Sequence, residues 1–337
     1  MTIKILTTIG PASLKEEVIK KLDKEAVSLF RINMSHTPLN DVEKVISSLQ
    51  SWSNTPVCLD TEGAQVRNQK MESEKVYFSK GAEVKIHFDE VVGNSHNISF
   101  YPHQVAPKLE PNDTLRVDFN SVVLQVKSKY DSFVIAEVLE EGYVGSNKAA
   151  NVDRVINLDA ITKKDQDAIK IAMDLGITDY SLSFTNNAND VLEMRKLVGD
   201  TNNIISKIES INGLLNLSAI LNYTNSILID RGDLSREVPI EKIPVLQRKI
   251  IKECTIKKIP VYVATNLLET MILSKNPSRA EVNDVASTVM MGANGLVLAA
   301  ETAIGLNPVE SVKMVKSVVH EIENWQENQS FSDIINS

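Results

Sequence analysis

The stretch that decides the fold runs from residue 226 to residue 300. It reads SILID (226–230), IPVLQRKIIKEC (243–254), PVYVA (260–264), EVNDVASTVMM (281–291) and LVLAA (296–300). Short β-rich runs therefore alternate with longer segments that place apolar residues at helical spacing. This alternation is typical of strand–helix units, in which helical crossovers join neighbouring parallel strands.

The same alternation recurs along the chain and predicts eight strands in total. They are Ile3–Thr8, Val27–Asn33, Pro56–Asp60, Thr178–Ser183, Ile204–Ile208, Ser226–Asp230, Pro260–Ala264 and Leu296–Ala300. The segments between them that predict amphipathic helices are Leu14–Leu22, Lys164–Leu175, Asp190–Val198, Ile243–Cys254, Glu281–Met291 and Val309–Ile322. Capping boxes are predicted at Ser13/Glu16, Thr162/Asp165 and Ser278/Glu281. We therefore predict an α/β fold, a (β/α)8 TIM barrel, which leaves no sheet edge exposed.

An insertion interrupts the third strand–helix unit. Its residues alternate in the manner of strands at Glu83–Phe88, Thr114–Phe119, Val122–Val126 and Phe133–Val138. We interpret residues 68–148 as a small inserted antiparallel β-barrel domain, and residues 1–67 with 149–326 as the TIM barrel. Because the active sites of such barrels lie at the carboxyl ends of the strands, we expect the insert to act as a lid. Residues 327–337 are predicted to form a frayed polar tail.

Composition excludes several classes of function. The 337 residues include 36 Lys and Arg against 44 Asp and Glu, a net charge of −8, and the acids are scattered, which disfavours nucleic acid as a partner. No apolar run approaches the ~20 residues that a membrane span needs, and the first residues lack a signal-peptide cleavage site. Cys58 and Cys254 show no metal-ligand spacing, so we expect reduced thiols in a cytoplasmic protein.

Polar and charged side chains follow most of the predicted strands. They are Arg31, Asn33, Ser35 and His36, then Asp60, Thr61 and Glu62, then Ser183, Lys207, Glu209, Asp230, Asp233, Thr265 and Glu301. A single charged residue at a strand end is more often a helix cap or an ion pair, and Arg31 could pair with Asp60 across neighbouring strands. The carboxyl ends of all the strands of a barrel meet at one end of it, and this favours an active site over isolated caps or ion pairs. Carboxylates beside Lys and Arg suit metal-assisted phosphoryl transfer.

Within this set, Glu209 and Asp233 are the best candidate ligands for a divalent cation. Lys207 lies two residues before Glu209, so the two side chains point to the same face of an extended strand. Gly232 has no side chain to keep an anion away from the backbone amides.

The chain resembles the pyruvate kinase family in a series of motifs that keep the family's order and spacing. They are Thr8-Ile-Gly-Pro-Ala-Ser13, Arg31-Ile-Asn-Met-Ser-His36, Asp60-Thr-Glu-Gly63, Lys207-Ile-Glu209, Arg231-Gly-Asp-Leu234, Ala264-Thr265, Ser278–Ala286 and Glu301-Thr-Ala303. The resemblance extends from Lys4 to about Ile322. It implies phosphoryl transfer from phosphoenolpyruvate to ADP, which forms pyruvate and ATP, with Mg²⁺ or Mn²⁺ and commonly K⁺.

The resemblance also implies a role for each matching residue. Glu209 and Asp233 would hold the divalent cation, while Lys207 and Arg31, as catalytic residues, would offset charge on the phosphoryl group. The amides of Gly232 and Asp233 and the hydroxyl of Thr265 would bind the substrate carboxylate, and Thr265 would also be a catalytic residue. A K⁺ site would be formed by Asn33, Ser35, Asp60 and Thr61. The nucleotide phosphates would be contacted by Arg67, His36 and Lys148.

Several positions depart from the family's pattern. Glu62 stands in place of a Lys, and Gln65 replaces an acid that is often tied to K⁺ dependence, so a weakened K⁺ requirement is expected. Around the substrate, Asp230 replaces the usual Ala, Ala299-Ala300 replace Ser-Gly, and Asn266 replaces Gln. Two alternatives follow: a kinase of the same chemistry acting on another small oxo- or hydroxy-acid, or a non-catalytic ligand-sensing homologue.

Family members continue into a third, effector-binding domain, whereas this sequence ends after the helix that follows the eighth predicted strand. Effector control of that kind is therefore not expected. A homo-oligomer assembled through the barrel is left open.

Overall fold

The structure, a computed structural model, describes residues 3–63, 65–118, 121–154, 156 and 158–336. Its strands are β1 (Lys4–Ile9), β2 (Leu29–Asn33), β3 (Val57–Asp60), β4 (Arg67–Asn68), β5 (Val76–Phe78), β6 (Glu83–His87), β7 (Asn97–Tyr101), β8 (Thr114–Val117), β9 (Val122–Lys129), β10 (Phe133–Glu140), β11 (Gly142–Val144), β12 (Ala150–Val152), β13 (Asp179–Leu182), β14 (Asn203–Ile208), β15 (Ser226–Asp230), β16 (Val261–Ala264) and β17 (Gly295–Leu298). Its helices are α1 (Glu16–Lys24), α2 (Val42–Trp52), α3 (Val105–Lys108), α4 (Lys163–Asp174), α5 (Ala188–Val198), α6 (Ile211–Leu215), α7 (Leu217–Ile220), α8 (Arg231–Leu234), α9 (Ile243–Lys257), α10 (Arg279–Met290), α11 (Ala300–Ala303), α12 (Pro308–Asn324) and α13 (Phe331–Asn336).

Eight parallel strands close into a barrel in the order β1-β17-β16-β15-β14-β13-β3-β2. The predicted TIM barrel is confirmed, and each predicted strand lies within two residues of the observed one. The strand register places Thr8 beside Arg31 and Asn33 beside Asp60, so polar side chains at the carboxyl ends become neighbours. One buried apolar cluster from the barrel strands consists of Leu6, Leu29, Cys58, Ile205, Leu228, Tyr262, Ala264 and Val297.

All six predicted helices are present, and α2 is an additional one. Its buried residues Val42, Ile46 and Leu49 have helical spacing, but the prediction missed it. The predicted capping box at Ser278 is confirmed, because its hydroxyl accepts from the Glu281 amide while the Glu281 carboxylate accepts in return. Among the described helices, none is long and apolar enough to cross a membrane.

The predicted capping role of Ser13 is wrong, and the predicted polar tail contains a short helix. Ser13 does not cap α1, because the helix begins later, after Lys15, and the Ser13 hydroxyl accepts from the Gly10 amide at 3.1 Å instead. The tail after residue 326, predicted to be frayed, contains α13. This helix forms because Ser330 and Asp333 exchange side-chain-to-backbone hydrogen bonds of 3.0 and 3.2 Å at its start.

Asp165 ties the end of β3 to the start of α4. It is fully buried, and its carboxylate accepts hydrogen bonds from the amides of Glu62 and Gly63 at 2.7 and 3.1 Å. Gly63 has a φ of +71°, a left-handed conformation that glycine adopts without strain. The bonds therefore hold the backbone where the chain leaves the barrel strand.

Asp165→Ala is expected to lower the free energy of unfolding by about 2–4 kcal/mol, because two buried amides lose their acceptor. Urea denaturation of the full chain measures this change. The matched control is Asp167→Ala on the same helix, where an exposed carboxylate pairs with Lys163 and removal changes stability by no more than about 0.5 kcal/mol. Equal stability of the two variants would contradict the assignment.

Residues 64–162 form a second compact unit, separate from the unit made by residues 1–63 and 163–337. Its main sheet has the order β12-β8-β9-β10-β6-β7-β4, and β5 pairs with β11. The unit extends beyond the predicted 68–148 because Arg67 pairs with Tyr101 and because β12 pairs with β8. An isolated bridge between Arg67 and Ala149 joins the two edges of the sheet.

The described strand pairs of this sheet are antiparallel, as predicted, with one exception. β6 and β7 pair in parallel, since the residues between them return the chain to the starting end of β6. Strand alternation is otherwise as predicted: in β6, Val84 and Ile86 are buried while Glu83 and Lys85 are exposed. The alternation decides which face is buried, but it carries no information on strand direction.

Asp113 and Arg154 form an ion pair at the edge of this unit. Asp113 is 7% exposed, and its Oδ1 lies 2.6 Å from Arg154 Nε, while Oδ2 accepts from the Glu110 amide at 2.8 Å. Burial alone would raise the pKa of Asp113, but the Arg154 hydrogen bonds, the Glu110 amide and the Arg154 charge together lower it.

A carboxyl group whose pKa is lowered by folding adds stability above its unfolded pKa of about 3.9, and this stability is lost as the pH falls below that value. Asp113→Asn is therefore expected to lower the free energy of unfolding by about 1–2 kcal/mol at pH 7 and to flatten the decline of Tm in acid. Thermal melts from pH 7 to pH 3 measure both effects. Exposed Asp131→Asn is the control, and a wild-type acid profile in Asp113→Asn would refute the assignment.

Candidate active site

Lys207, at the carboxyl end of β14, lies among three acceptors. Its Nζ is 3.0 Å from Glu209 Oε1, 3.0 Å from Ser183 Oγ and 3.4 Å from Asp60 Oδ2. The residue is 4% exposed. Burial alone would lower the pKa of Lys207, but the charges of Asp60 and Glu209 raise it above its ordinary value. The ammonium group therefore stays charged in the mouth of the barrel.

Arg31 contributes a second buried cation. Its Nε donates to Asp60 Oδ2 at 2.8 Å, Nη2 forms an ion pair with the same oxygen, and Nη1 donates to Thr8 Oγ1 at 2.9 Å. The pairing of Arg31 with Asp60, one of the two alternatives drawn from the sequence, is thus observed. Because Lys207 shares the same carboxylate oxygen, Asp60 balances only part of the positive charge.

Three carboxylates converge beside these cations. Glu209, Asp230 and Asp233 each offer an oxygen, and these oxygens all lie within 4.8 Å of one another. Burial raises the pKa of Glu209 to about 8, and the charges of Asp233 and Asp230 add to the shift, although Lys207 opposes it. The sequence identifies Glu209 and Asp233 as a pair, and the structure adds Asp230 as the third member of the carboxylate cluster.

The carboxylate cluster fits a divalent cation in its donor chemistry. Glu209 Oε2 accepts from the Phe184 amide at 2.6 Å, whereas buried Oε1 accepts no hydrogen bond from the described residues although Lys207 lies nearby. Asp233 Oδ1 is 2.8 Å from Arg236 Nη1. Mg²⁺ prefers oxygen ligands, one or two of them carboxylates, and completes its shell with water and substrate oxygens.

Thr265, Gly232 and Asp233, to which the resemblance assigns the substrate carboxylate, lie close together after the ends of β16 and β15. The Thr265 hydroxyl donates to Asp230 Oδ1 at 2.7 Å, and the amides of Gly232 and Asp233 donate to the same oxygen at 3.2 and 3.5 Å. A Cβ at position 232 would lie 2.8 Å from Thr265 Cγ2, so the close approach requires glycine. The donors assigned to a substrate carboxylate therefore surround a carboxylate of the chain itself.

Two further residues contribute to the site, and the sequence did not single them out for a role. Ser183 Oγ accepts from Lys207 and donates to the Thr61 carbonyl at 2.6 Å. Phe184 has a φ of +48°, and this strained conformation directs its amide at Glu209. Ser183 stood at a predicted strand end, but a serine there is too common to indicate a role.

The residues assigned to K⁺ lie at the ends of β2 and β3. Asn33 Oδ1 accepts from the Ser35 amide at 2.9 Å, and Thr61 Oγ1 accepts from the Ser183 amide at 3.0 Å. Asp60 Oδ1 is buried and has no hydrogen-bond partner among the described residues. The K⁺ site stays a prediction.

A cavity of about 500 Å³ opens beside Arg31. Asn33 and His36 also line it, and its remaining walls are largely apolar, formed by residues that include Ile9, Pro11, Leu14, Pro38, Val45, Ala299, Ala300, Ala303 and Ile304. Arg67 and Lys148, the other residues assigned to the nucleotide, belong to the second unit. There Arg67 Nη1 donates to the Asn147 carbonyl at 3.0 Å, and Lys148 Nζ lies 3.8 Å from Asp118 Oδ2.

A parallel barrel that combines buried cations with clustered carboxylates at the carboxyl ends of its strands suits phosphoryl transfer, the chemistry of the phosphotransferases. Comparison with known proteins agrees, since the family model described as pyruvate kinase, barrel domain, matches residues 1–312. The chain belongs to the pyruvate kinase family, and the resemblance seen in its motifs is confirmed.

Curated relatives named pyruvate kinase occur in several microorganisms. The relative from Thermococcus litoralis is 32% identical over 98% of this chain and 71% of its own length. The relative from Thermotoga maritima is 33% identical over 95% of this chain and 71% of its own length. The relative from Clostridium acetobutylicum is 33% identical over 95% of this chain and 70% of its own length. The similarity thus spans nearly the whole chain and not one motif.

Proposed function

We propose that the chain transfers a phosphoryl group from phosphoenolpyruvate to ADP, with the help of a divalent cation. The observation that carries the proposal is the juxtaposition of Lys207 and Arg31 with the carboxylate cluster at one end of the barrel. In this reaction the bond between phosphorus and the enol oxygen breaks, and a bond from phosphorus to a β-phosphate oxygen of ADP forms. The enolate that leaves takes up a proton at carbon and becomes pyruvate.

Lys207 and Arg31 supply positive charge where the phosphoryl group moves. Both side chains are buried and fixed by hydrogen bonds, so little reorganisation is needed when negative charge develops on the phosphoryl oxygens. Lys207 has three N–H donors and can exchange one of its present partners for a phosphoryl oxygen. Arg31 stays charged at any pH at which the protein is folded.

Glu209 and Asp233 would hold Mg²⁺ or Mn²⁺. When bound there, the cation supplies charge that stabilises anionic oxygens of the substrate. The buried Glu209 Oε1, which accepts no hydrogen bond from the described residues, supports this role. K⁺ would be held by Asn33, Ser35, Asp60 and Thr61, with a requirement weakened by the neutral Gln65.

ADP would place its base in the cavity beside Arg31. The apolar walls of the cavity suit a flat ring, and His36, which also lines it, would face phosphate oxygens. The contacts of Arg67 and Lys148 with the nucleotide stay predictions.

A second candidate function keeps this chemistry and changes the small acid. Asp230 favours it, because its carboxylate already holds the donors assigned to the carboxylate of phosphoenolpyruvate. The alternative of a non-catalytic sensor predicts ligand binding without turnover.

A coupled assay of pyruvate formation with phosphoenolpyruvate, ADP, Mg²⁺ and K⁺ separates these functions. We expect the wild-type protein to form pyruvate much faster than Lys207→Met. No pyruvate formation above that of Lys207→Met would refute pyruvate as the product. Turnover with another phospho-acid would then support the second candidate. Binding of nucleotide and phospho-acid by calorimetry, without turnover of either, would support the sensor.

A further inference from the structure

The Asp230 carboxylate accepts hydrogen bonds from three donors that point to one of its oxygens. Its Oδ1 accepts from Thr265 Oγ1 at 2.7 Å, from the Gly232 amide at 3.2 Å and from the Asp233 amide at 3.5 Å. Oδ2 accepts no hydrogen bond from the described residues. The residue is 8% exposed, so the protein replaces most of its hydration by these bonds.

The surroundings hold these donors in place. Thr265 has a φ of +76°, a conformation that costs a β-branched residue free energy and that persists only where its neighbours impose it. Arg231 imposes it here, because Nε donates to the Thr265 carbonyl at 3.0 Å and Nη1 to Asp284 Oδ2 at 2.7 Å. The Thr265 hydroxyl is thus fixed on Asp230 by a clamp that reaches from α8 to α10.

We propose that Asp230 is a specificity-determining residue, which weakens the binding of any ligand that presents a carboxylate to Thr265, Gly232 and Asp233. The inference rests on the proposed function, in which these donors receive the carboxylate of phosphoenolpyruvate. An incoming carboxylate must displace Oδ1 from three hydrogen bonds and then lie beside a second buried anion. Like charges at such short range disfavour the complex.

The position of Lys207 makes the effect specific for the carboxylate end of a ligand. The hydrogen bonds of Lys207 and Arg31 go to Asp60, Ser183 and Thr8 and not to Asp230, whose carboxylate both cations feel only through their charge. Removal of the Asp230 carboxylate therefore leaves the hydrogen bonds of both cations intact. It frees the Thr265 hydroxyl and two amides for an external acceptor.

The test compares wild type, Asp230→Ala and Asp230→Asn in steady-state kinetics with phosphoenolpyruvate and in calorimetric titration with oxalate, both in the presence of Mg²⁺. Asp230→Ala is expected to lower the KM for phosphoenolpyruvate and the Kd of oxalate by at least about tenfold. Asp230→Asn removes the charge but keeps an oxygen on the donors, so an intermediate effect is expected.

Unchanged or weaker binding of both ligands in Asp230→Ala would overturn the proposal. Weaker binding together with lost Mn²⁺ affinity would assign Asp230 to the cation instead. Thermal melts show whether the variants fold. If Asp230→Ala does not fold, Asp230→Asn is used alone. Tighter binding of oxalate than by wild type then supports the proposal, and equal or weaker binding refutes it. If neither the wild type nor the variants transfer a phosphoryl group to ADP, the proposed function is refuted. The oxalate titration still tests the role of Asp230 in that case.

Discussion

Replacement of Lys207 by Met is expected to lower kcat for phosphoryl transfer by about 10³-fold or more. The ammonium group is buried, fixed by Ser183 Oγ and two carboxylates, and its Nζ lies 3.0 Å from Glu209 of the carboxylate cluster. Methionine has a similar length but no charge, so the anionic oxygens of the transition state lose their fixed donor. Affinity for the nucleotide is expected to change much less, because the apolar cavity does not include Lys207.

Stopped-flow or coupled kinetics of Lys207→Met measures this loss. The variant also leaves Asp60 and Glu209 with one cation fewer, which destabilises the fold by about 3–5 kcal/mol, so far-UV circular dichroism must show a folded protein at the assay temperature. Lys316→Met is the matched control, since this lysine pairs with Glu25 on the outer helices of the barrel. A Lys207→Met enzyme within about tenfold of wild type would exclude the assigned role.

Glu209→Gln and Asp233→Asn are each expected to weaken Mn²⁺ binding by about 10- to 100-fold and to lower kcat by about 10²-fold or more. Each substitution keeps the shape of the side chain and removes one negative charge from the carboxylate cluster. The loss of charge reduces the attraction for a divalent cation, and at Glu209 it also places an amide beside the Lys207 ammonium.

Electron spin resonance of free Mn²⁺ measures the affinity directly, without turnover. Glu237→Gln is the control, because Glu237 precedes α9, accepts from the Ile211 amide at 2.7 Å and lies outside the carboxylate cluster. Wild-type Mn²⁺ affinity in both cluster variants would show that the cation is held elsewhere.

The barrel was predictable because strand and helix periodicities differ and the chain alternates between them. The same reasoning could not give the parallel pairing of β6 with β7, since a half-buried strand has the same pattern in either direction. Nor could it find the role of Asp165, whose partners Glu62 and Gly63 lie about a hundred residues away in sequence.

Within the site, the convergence of strand ends was predictable from topology, and Lys207, Glu209 and Arg31 are brought together as expected. The hydrogen bond from the Thr265 hydroxyl to Asp230 was not, because it depends on the left-handed backbone of Thr265. A threonine gives no sequence signal for that conformation, which a glycine or an asparagine would have given.

Transfer of a phosphoryl group from a small acid to a nucleotide by this protein can be followed directly by ³¹P NMR. The protein is incubated with phosphoenolpyruvate, ADP, Mg²⁺ and K⁺, and the phosphorus signals are followed in time. We expect the enol phosphate signal to decline while the γ-phosphate signal of ATP grows in equal amount, and Lys207→Met to slow both changes by about 10³-fold. An unchanged spectrum for the wild-type protein, or growth of inorganic phosphate alone, would contradict it.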